Sequence, residues 1–269
     1  MRIPFRGAPD APLDPALVAP MSVSARPELT GGRRVGVLVQ HGFTGNPFSM
    51  RPWAEDLAAR GYAVEMPLLP GHGTRWQDLN RVTWADWVAT VEGAYDKLAA
   101  ENDAVVAVGL SMGGALCLRL AADKGDGLAG ICLVNPAVDT LRKDVKALPV
   151  LKHVVPAMPG IANDIKKPGA DEHGYPMTPL KAAASMFAGY AELRRDLPRI
   201  TVPVLYFRSA EDHVVDISTS RALNAGLSSK DFEERVLEDS YHVATLDNDA
   251  PRIFSESADF IARVTAERS

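Results

Sequence analysis

Residues 104–123 read AVVAVGLSMGGALCLRLAAD, a run in which apolar, β-branched residues give way to glycines and then to small, helix-forming residues. The first part predicts a buried strand and the second part a helix. Between them, GLSMG at 109–113 has the G-x-S-x-G pattern of a tight turn that holds a serine hydroxyl at the end of a sheet. Side chains at Gly109 and Gly113 would clash with neighbouring backbone. The stretch therefore predicts a nucleophile, Ser111, at a strand-to-helix turn.

Composition narrows the class of protein. The chain has 269 residues, 46% hydrophobic and 23% charged, which is typical of one globular domain with room for an insertion. The net charge is −5 and no uninterrupted basic run occurs, so a nucleic-acid partner is not expected. No stretch reaches the ~18 apolar residues of a membrane span, and prolines interrupt the first 34 residues too often for a secretory signal. Cys117 and Cys132 lie in apolar sequence and are expected to be buried and reduced. We predict a soluble, cytoplasmic protein.

Short strand-like segments alternate with helical segments along the chain. This order is typical of the α/β class, in which a mostly parallel sheet is flanked by helices. The predicted strands are residues 35–40, 63–66, 104–110, 130–135, 202–208 and 234–237. The last predicted helix covers residues 251–265.

Residues 138–197 interrupt the alternation. They contain many prolines and no convincing strand, although residues 179–195 have a helical pattern. A connection between strand and helix needs only a few residues, so a segment of this length is an insertion. Its apolar residues are expected both to pack it onto the body and to cover the mouth of an active site. We predict a core of residues 1–137 and 198–269, with a Pro-rich extension at 1–30, and a small helical cap at 138–197.

A serine hydroxyl needs a base that accepts its proton and a group that orients this base. On a scaffold with a G-x-S-x-G turn, the acid and then the histidine follow the serine, on loops after later strands. Asp212 follows the predicted strand at 202–208, and His242 follows the one at 234–237. We therefore predict Asp212 as the acid and His242 as the base.

Neighbouring residues leave alternatives open for both roles. Glu211 is the next candidate for the acid, and Asp216 lies a few residues further along. His213 is adjacent to the acid rather than on a separate loop, and His153 and His173 lie in the insertion. These positions make the three histidines weaker candidates for the base.

The tetrahedral intermediate of acyl transfer needs N–H donors for its oxyanion. Met112, the residue after the serine, is expected to supply one, and Phe43, in the loop HGFTG at 41–45, the second. His41 is expected to brace this loop, and His72, between two glycines, to be a turn residue. Since no group of His, Cys, Asp and Glu has metal-ligand spacing, neither a metal nor another cofactor is expected.

These motifs resemble those of the bacterial carboxylesterases and monoacylglycerol lipases of the α/β-hydrolase superfamily. The matching stretches are HGFTG at 41–45, residues 47–50, PGHG at 70–73, GLSMGG at 109–114, NDIKKP at 163–168, residues 178–179, Asp212, and SYH at 240–242. The resemblance covers nearly the whole chain after about residue 30. It implies the α/β-hydrolase fold, a triad of Ser111, Asp212 and His242, and an oxyanion hole formed by the N–H groups of Phe43 and Met112.

The resemblance also implies hydrolysis of short- to medium-chain esters or of monoacylglycerols through an acyl-enzyme. The apolar insertion favours monoacylglycerol, with a general carboxylesterase as the alternative and an acyltransferase or C–C hydrolase less favoured. Ile161 and Ile165 of the insertion are the candidate substrate-binding residues. The cap is also a candidate for transient contact with a lipid surface.

Overall fold

The computed structural model describes residues 14–266. Nine strands occur within this range, seven in a central sheet and two in a separate hairpin. In chain order they are β1 (Met21–Val23), β2 (Val35–Gln40), β3 (Ala63–Met66), β4 (Ala104–Leu110), β5 (Gly130–Val134), β6 (Ala157–Pro159), β7 (Met177–Pro179), β8 (Val204–Ser209) and β9 (Phe232–Leu237).

The central sheet has the order β1-β3-β2-β4-β5-β8-β9. β1 is antiparallel to β3, and all other neighbouring strands of this sheet are parallel. Because parallel strands end at the same edge, the loops after β2, β4, β5, β8 and β9 meet there. All six predicted strands are present in this sheet, and the predicted α/β class is confirmed.

Nine α-helices connect and flank the strands of the described range. They are α1 (Pro15–Val18), α2 (Arg51–Ala59), α3 (Trp76–Leu79), α4 (Trp84–Glu101), α5 (Met112–Lys124), α6 (Leu148–Leu151), α7 (Leu180–Asp196), α8 (Ser218–Gly226) and α9 (Ala250–Thr265). None of the helices between residues 14 and 266 is both long and apolar enough to cross a bilayer.

The sheet separates two hydrophobic cores. In β4, Val105 and Ala107 contribute to a core shared with α4, α5 and α7, whereas Val106 and Val108 contribute to a core shared with α2 and α9. Burial on both faces explains why the strand is continuously apolar instead of alternating. Helix α5 is buried along nearly its whole length, since it contacts β4, β5, α4 and α7. The helix that begins directly after Ser111 is therefore held firmly in the core.

The segment between β5 and β8 contains α6, α7 and the hairpin of β6 and β7. The expectation that it holds no strand is wrong, because these two strands pair antiparallel over three residues each. Such short strands have no detectable periodicity, and Pro159 and Pro179 at their ends conceal them further. The predicted helix at 179–195 is α7. It packs closely on α4 at Gly189, where an added β-carbon would collide with the ring of Trp84.

The Pro-rich extension lies partly outside the described residues. Its described part begins at Asp14 and contains α1 and β1. β1 adds an edge to the sheet by pairing with β3, with Met21 opposite Met66. The part of the extension between residues 14 and 30 is thus joined to the core by strand pairing.

Candidate active site

Ser111 lies where the chain turns sharply from β4 into α5. Its φ of 56° and ψ of −121° lie in a region that L-residues rarely adopt. A β-carbon on Gly109 would lie 2.5 Å from the carbonyl of Gly113, and one on Gly113 would collide with the carbonyl of Gln40. The clashes predicted at both glycines are therefore confirmed. The N–H of Ser111 donates to the carbonyl of Val134 at 3.0 Å, which fixes the turn at the carboxyl edge of the sheet.

Asp212 and His242 are hydrogen-bonded to each other. Nδ1 of His242 lies 2.8 Å from Oδ2 of Asp212, and both side chains are less than a tenth exposed. Oδ1 of Asp212 accepts the N–H groups of Val214 and Val215, each at 2.8 Å. Asp212 follows β8, His242 follows β9, and His242 lines the same cleft as Ser111. The structure thus brings together the three residues that the sequence predicts as nucleophile, acid and base.

The surroundings of Asp212 and His242 shift the pKa values of both side chains. Burial alone would lower the pKa of His242, but the charge and hydrogen bond of Asp212, with Glu172 and Asp164 nearby, raise it above its ordinary value. Burial alone would raise the pKa of Asp212, but His242 and two backbone N–H groups hold it below its ordinary value. Because Nδ1 donates to the carboxylate, Nε2 is the ring nitrogen that can exchange a proton with a bound group.

The alternative acids and bases lie elsewhere. Glu211 is exposed and lies 3.3 Å from Nε2 of His213. Asp216 accepts backbone hydrogen bonds from the start of α8 and from the insertion. His153 is exposed, and His173 packs edge-on against a phenylalanine ring at 4.7 Å. None of these five residues lines the cleft that contains the serine.

The loop after β2 lies against the serine. A β-carbon on Gly42 would sit 3.3 Å from Cβ of Ser111, so a side chain there would press on the serine. Phe43 lines the same cleft, and its ring packs edge-on against Trp87 at 5.8 Å. Within residues 14–266, no protein acceptor is bound by the N–H of Phe43 or by that of Met112, the first residue of α5. Both N–H groups are therefore free to donate to a bound oxygen.

Two buried histidines support this loop. Nε2 of His41 accepts the N–H of Leu69 at 3.2 Å, and Nδ1 donates to the carbonyl of Gly42 at 3.0 Å. Burial lowers the pKa of His41 to about 4, although the hydrogen bond to Gly42 opposes this shift. His72 packs edge-on against His41 at 4.9 Å, and its Nδ1 donates to the carbonyl of Pro70. Burial also lowers the pKa of His72, so both rings are neutral at pH 7 and brace the backbone.

The cleft around Ser111 has a cavity volume of about 160 Å³. Its apolar wall comes mostly from the insertion and the loop after β8, through Ile161, Ala183, Met186, Phe187, Tyr190, Val214 and Val215. Ile161, a predicted substrate-binding residue, lines the cleft and is 51% exposed. Ile165, the other predicted one, is not among the lining residues and packs against the core between the sheet, α2 and α9.

Glu172 also lines the cleft, although no motif in the sequence points to it. Its Oε1 accepts the N–H of Asn163 at 2.8 Å. Burial raises the pKa of the Glu172 carboxyl, against the opposing effects of this hydrogen bond and of His242. A carboxylate in a largely apolar cleft can accept hydrogen bonds from hydroxyl groups of a substrate.

Comparisons with known proteins show which family this chain is similar to. The profile of the Hydrolase_4 family, described as serine aminopeptidase, S33, matches residues 32–249. The thermostable monoacylglycerol lipase of Bacillus sp. (strain H-257) is 40% identical over 244 residues, which are 91% of this chain and 97% of the lipase. The carboxylesterase of Bacillus subtilis (strain 168) is 25% identical, over 90% of this chain and 98% of the esterase.

A solved structure from work on LipS and LipT, two metagenome-derived lipolytic enzymes, superposes with a TM-score of 0.86 at 38% identity. The superposition covers 92% of this chain and 98% of that chain. The resemblance to bacterial carboxylesterases and monoacylglycerol lipases is thus confirmed. Because the family profile matches well over half of its residues, the chain belongs to the Hydrolase_4 family of serine hydrolases with the α/β-hydrolase fold.

Proposed function

We propose that this protein is a monoacylglycerol lipase, which releases a fatty acid and glycerol through an acyl-enzyme. One observation carries the proposal: a single cleft contains Ser111, the imidazole of His242, an apolar wall and the carboxylate of Glu172. The 40% identity to a monoacylglycerol lipase over most of both chains supports it. A general carboxylesterase, which the likeness to the Bacillus subtilis enzyme favours, is the second candidate.

In the proposed reaction, Oγ of Ser111 attacks the ester carbonyl while Nε2 of His242 accepts the serine proton. The carboxylate of Asp212 holds the imidazole in the correct tautomer and stabilises its positive charge. The N–H groups of Phe43 and Met112 donate to the oxyanion. His242 then protonates the leaving alcohol, and a water molecule repeats the sequence on the acyl-enzyme to release the acid.

The cleft suits a substrate with one apolar chain and a small polar alcohol. We propose that the acyl chain lies along the apolar wall, which includes Ile161 and Phe187, and that Glu172 accepts hydrogen bonds from the glycerol hydroxyls. Nothing in the geometry supports a substrate contact for Ile165. A second acyl chain at the same position would be unfavourable. It would remove water from the carboxylate without offering a hydrogen-bond donor in exchange, and burying an unpaired charge costs free energy.

We further propose that residues 138–197 act as a cap over a core that includes residues 14–137 and 198–266, and that this cap contacts lipid surfaces transiently. Five large apolar side chains of the segment are exposed: Leu141, Val150, Val154, Met158 and Ile161. Val150 and Val154 are 74% and 75% exposed, which is costly in water and favourable against lipid. A cytoplasmic location stays a prediction.

The kcat/KM values of monoacylglycerols of increasing acyl length, compared with those of short alkyl and aryl esters, test the function. We expect the monoacylglycerols to be the better substrates. Glu172→Gln should raise KM for monoacylglycerol roughly 10-fold, since a hydrogen bond to a charged group is weakened, and should affect the aryl ester little. Glu192→Gln, an exposed carboxylate on α7, is the matched control.

Two outcomes of this panel would change the proposal. If simple esters are hydrolysed far better than every glyceride, the lipase assignment fails and a general carboxylesterase remains. The same glycerides offered as dispersed molecules and as aggregates test the lipid contact. Faster turnover on aggregates, reduced in Val154→Ser, is expected, and equal rates on both forms would exclude it.

A further inference from the structure

Asp164, in the insertion, contacts the backbone of the proposed base. Its side chain is 9% exposed, and Oδ2 accepts the N–H of His242 at 3.1 Å. The same oxygen accepts the N–H of His213 at 3.2 Å, and Oδ1 accepts from Nδ1 of His213 at 2.7 Å. One carboxylate thus links the loop that carries the acid Asp212 to the loop that carries the base.

A second aspartate, on the histidine loop, accepts hydrogen bonds from the insertion. Asp247, on the loop after His242, is 2% exposed and accepts the N–H groups of Lys166 and Lys167 at 2.7 and 2.9 Å. The carbonyl of Asp164 also accepts the N–H of Val243 at 3.0 Å. The insertion and the histidine loop are therefore joined by side chains from both sides, which fixes the position of Asp164 relative to the base.

The carbonyl of His242 is held from the core instead. Asn135 directly follows β5. Its Nδ2 donates to this carbonyl at 2.8 Å and to the side-chain Oγ of Ser209 at 2.9 Å. Asn135 is 1% exposed and has a φ of 42°, a conformation that costs free energy unless its contacts repay it. The main chain of His242 is therefore held on its carbonyl side by the core and on its N–H side by the insertion.

We propose that Asp164 is a positioning residue for the reaction. Through its hydrogen bonds, the position of the insertion on the core determines the orientation of His242. This inference rests on the proposed function, in which His242 transfers protons. Asp164 acts through the backbone of the base and through the acid loop. A displacement of about 1 Å at a catalytic group can cost about 100-fold in rate, so loss of this restraint is expected to slow the reaction.

The charge of Asp164 is expected to affect the pH dependence of the reaction. The charged groups that face the His242 imidazole are Asp212 from the loop after β8, and Glu172 and Asp164 from the insertion. Each of them raises the pKa of His242, against the effect of burial. Neutral His242 is the active base, so loss of the Asp164 charge should move the acid limb of the pH profile to lower pH.

The test uses the full chain with Asp164→Ala and Asp164→Asn. We expect Asp164→Ala to lower kcat about 10- to 100-fold with KM little changed. Asp164→Asn keeps an oxygen that can accept the N–H of His242, so most of kcat should return. The acid limb of kcat/KM should nevertheless lie at lower pH than in the wild type. Asp144→Asn, an exposed aspartate of the insertion paired with Arg142, should leave both the rate and the pH limb unchanged.

Two further readouts separate positioning from folding and from the function itself. Thermal unfolding is followed for each variant, and if Asp164→Ala does not fold, the pH profile of Asp164→Asn carries the test alone. An unshifted limb in Asp164→Asn, or wild-type kcat in a folded Asp164→Ala, would overturn the proposal. The rate at which a fluorophosphonate labels Ser111 is measured across the same pH range. A wild-type protein that neither labels nor hydrolyses esters would instead overturn the proposed function.

Discussion

Ser111→Ala is expected to abolish nearly all ester hydrolysis, with kcat falling roughly 10⁵- to 10⁶-fold. The loss is large because Asp212, His242 and the N–H donors act on an oxygen atom that the variant lacks. Substrate binding should change little, since the cleft keeps its other lining residues. The residual rate would come from the oxyanion donors and from binding alone. Turnover of a monoacylglycerol and of an aryl ester measures the effect.

Stability should be preserved in this variant. Alanine and serine meet the same backbone strain at a φ of 56°, so the free energy of unfolding should change little. Ser255→Ala, at an exposed position of α9, is the control for preparation and assay. A Ser111→Ala protein that retains activity within tenfold of the wild type would mean that another group attacks the ester.

Asp212→Asn is expected to lower kcat about 10⁴-fold. An asparagine can keep the hydrogen bonds from Val214 and Val215, but it supplies no charge to stabilise the protonated imidazole. It can also turn its amide toward Nδ1 of His242 and so select the wrong tautomer. Because the Asp212 charge raises the pKa of His242, its loss should move the acid limb of the residual activity to lower pH.

Glu211, the alternative acid next to Asp212 in the sequence, provides the comparison. Glu211→Gln should retain most of the activity, since Glu211 is exposed and contacts His213 instead of the base. Stopped assays of both variants across pH 5–9 make the measurement. Full activity in Asp212→Asn, together with loss of activity in Glu211→Gln, would assign the acid to Glu211.

The fold and the central site were predictable because their signals are local. Strand β4 is a continuous apolar run, and the turn at Ser111 needs glycines at fixed positions on both sides. Asp212 and His242 each follow a strand of the same parallel sheet, so chain order and sheet geometry are enough to place them at one edge.

Other features depend on contacts between distant parts of the chain. β1, β6 and β7 have three residues each, too few for any periodicity, and only pairing with a partner defines them. Glu172 and Asp164 reach the site because the insertion folds back over the loops after β8 and β9, where Asp164 accepts the N–H groups of His213 and His242. The apolar character of Ile165 predicts a place in the cleft, but it does not distinguish a lining residue from one that packs against the core.

The role of Asn135 is only partly predictable from the sequence. It directly follows β5, at the edge where site residues collect, so its position carried a signal that it has a role there. Its hydrogen bonds to Ser209 and His242 could not be predicted, because they depend on a left-handed backbone at the end of the strand.

Covalent labelling is the most direct measurement of the central claim that Ser111 is an activated nucleophile. The full-length protein is treated with a fluorophosphonate, and peptide mass spectrometry locates the modified residue. We expect one equivalent of label on Ser111, formed more slowly as the pH falls and His242 becomes protonated, and no label in Ser111→Ala. Label on a different residue, or a folded wild-type protein that takes up none, would contradict the claim.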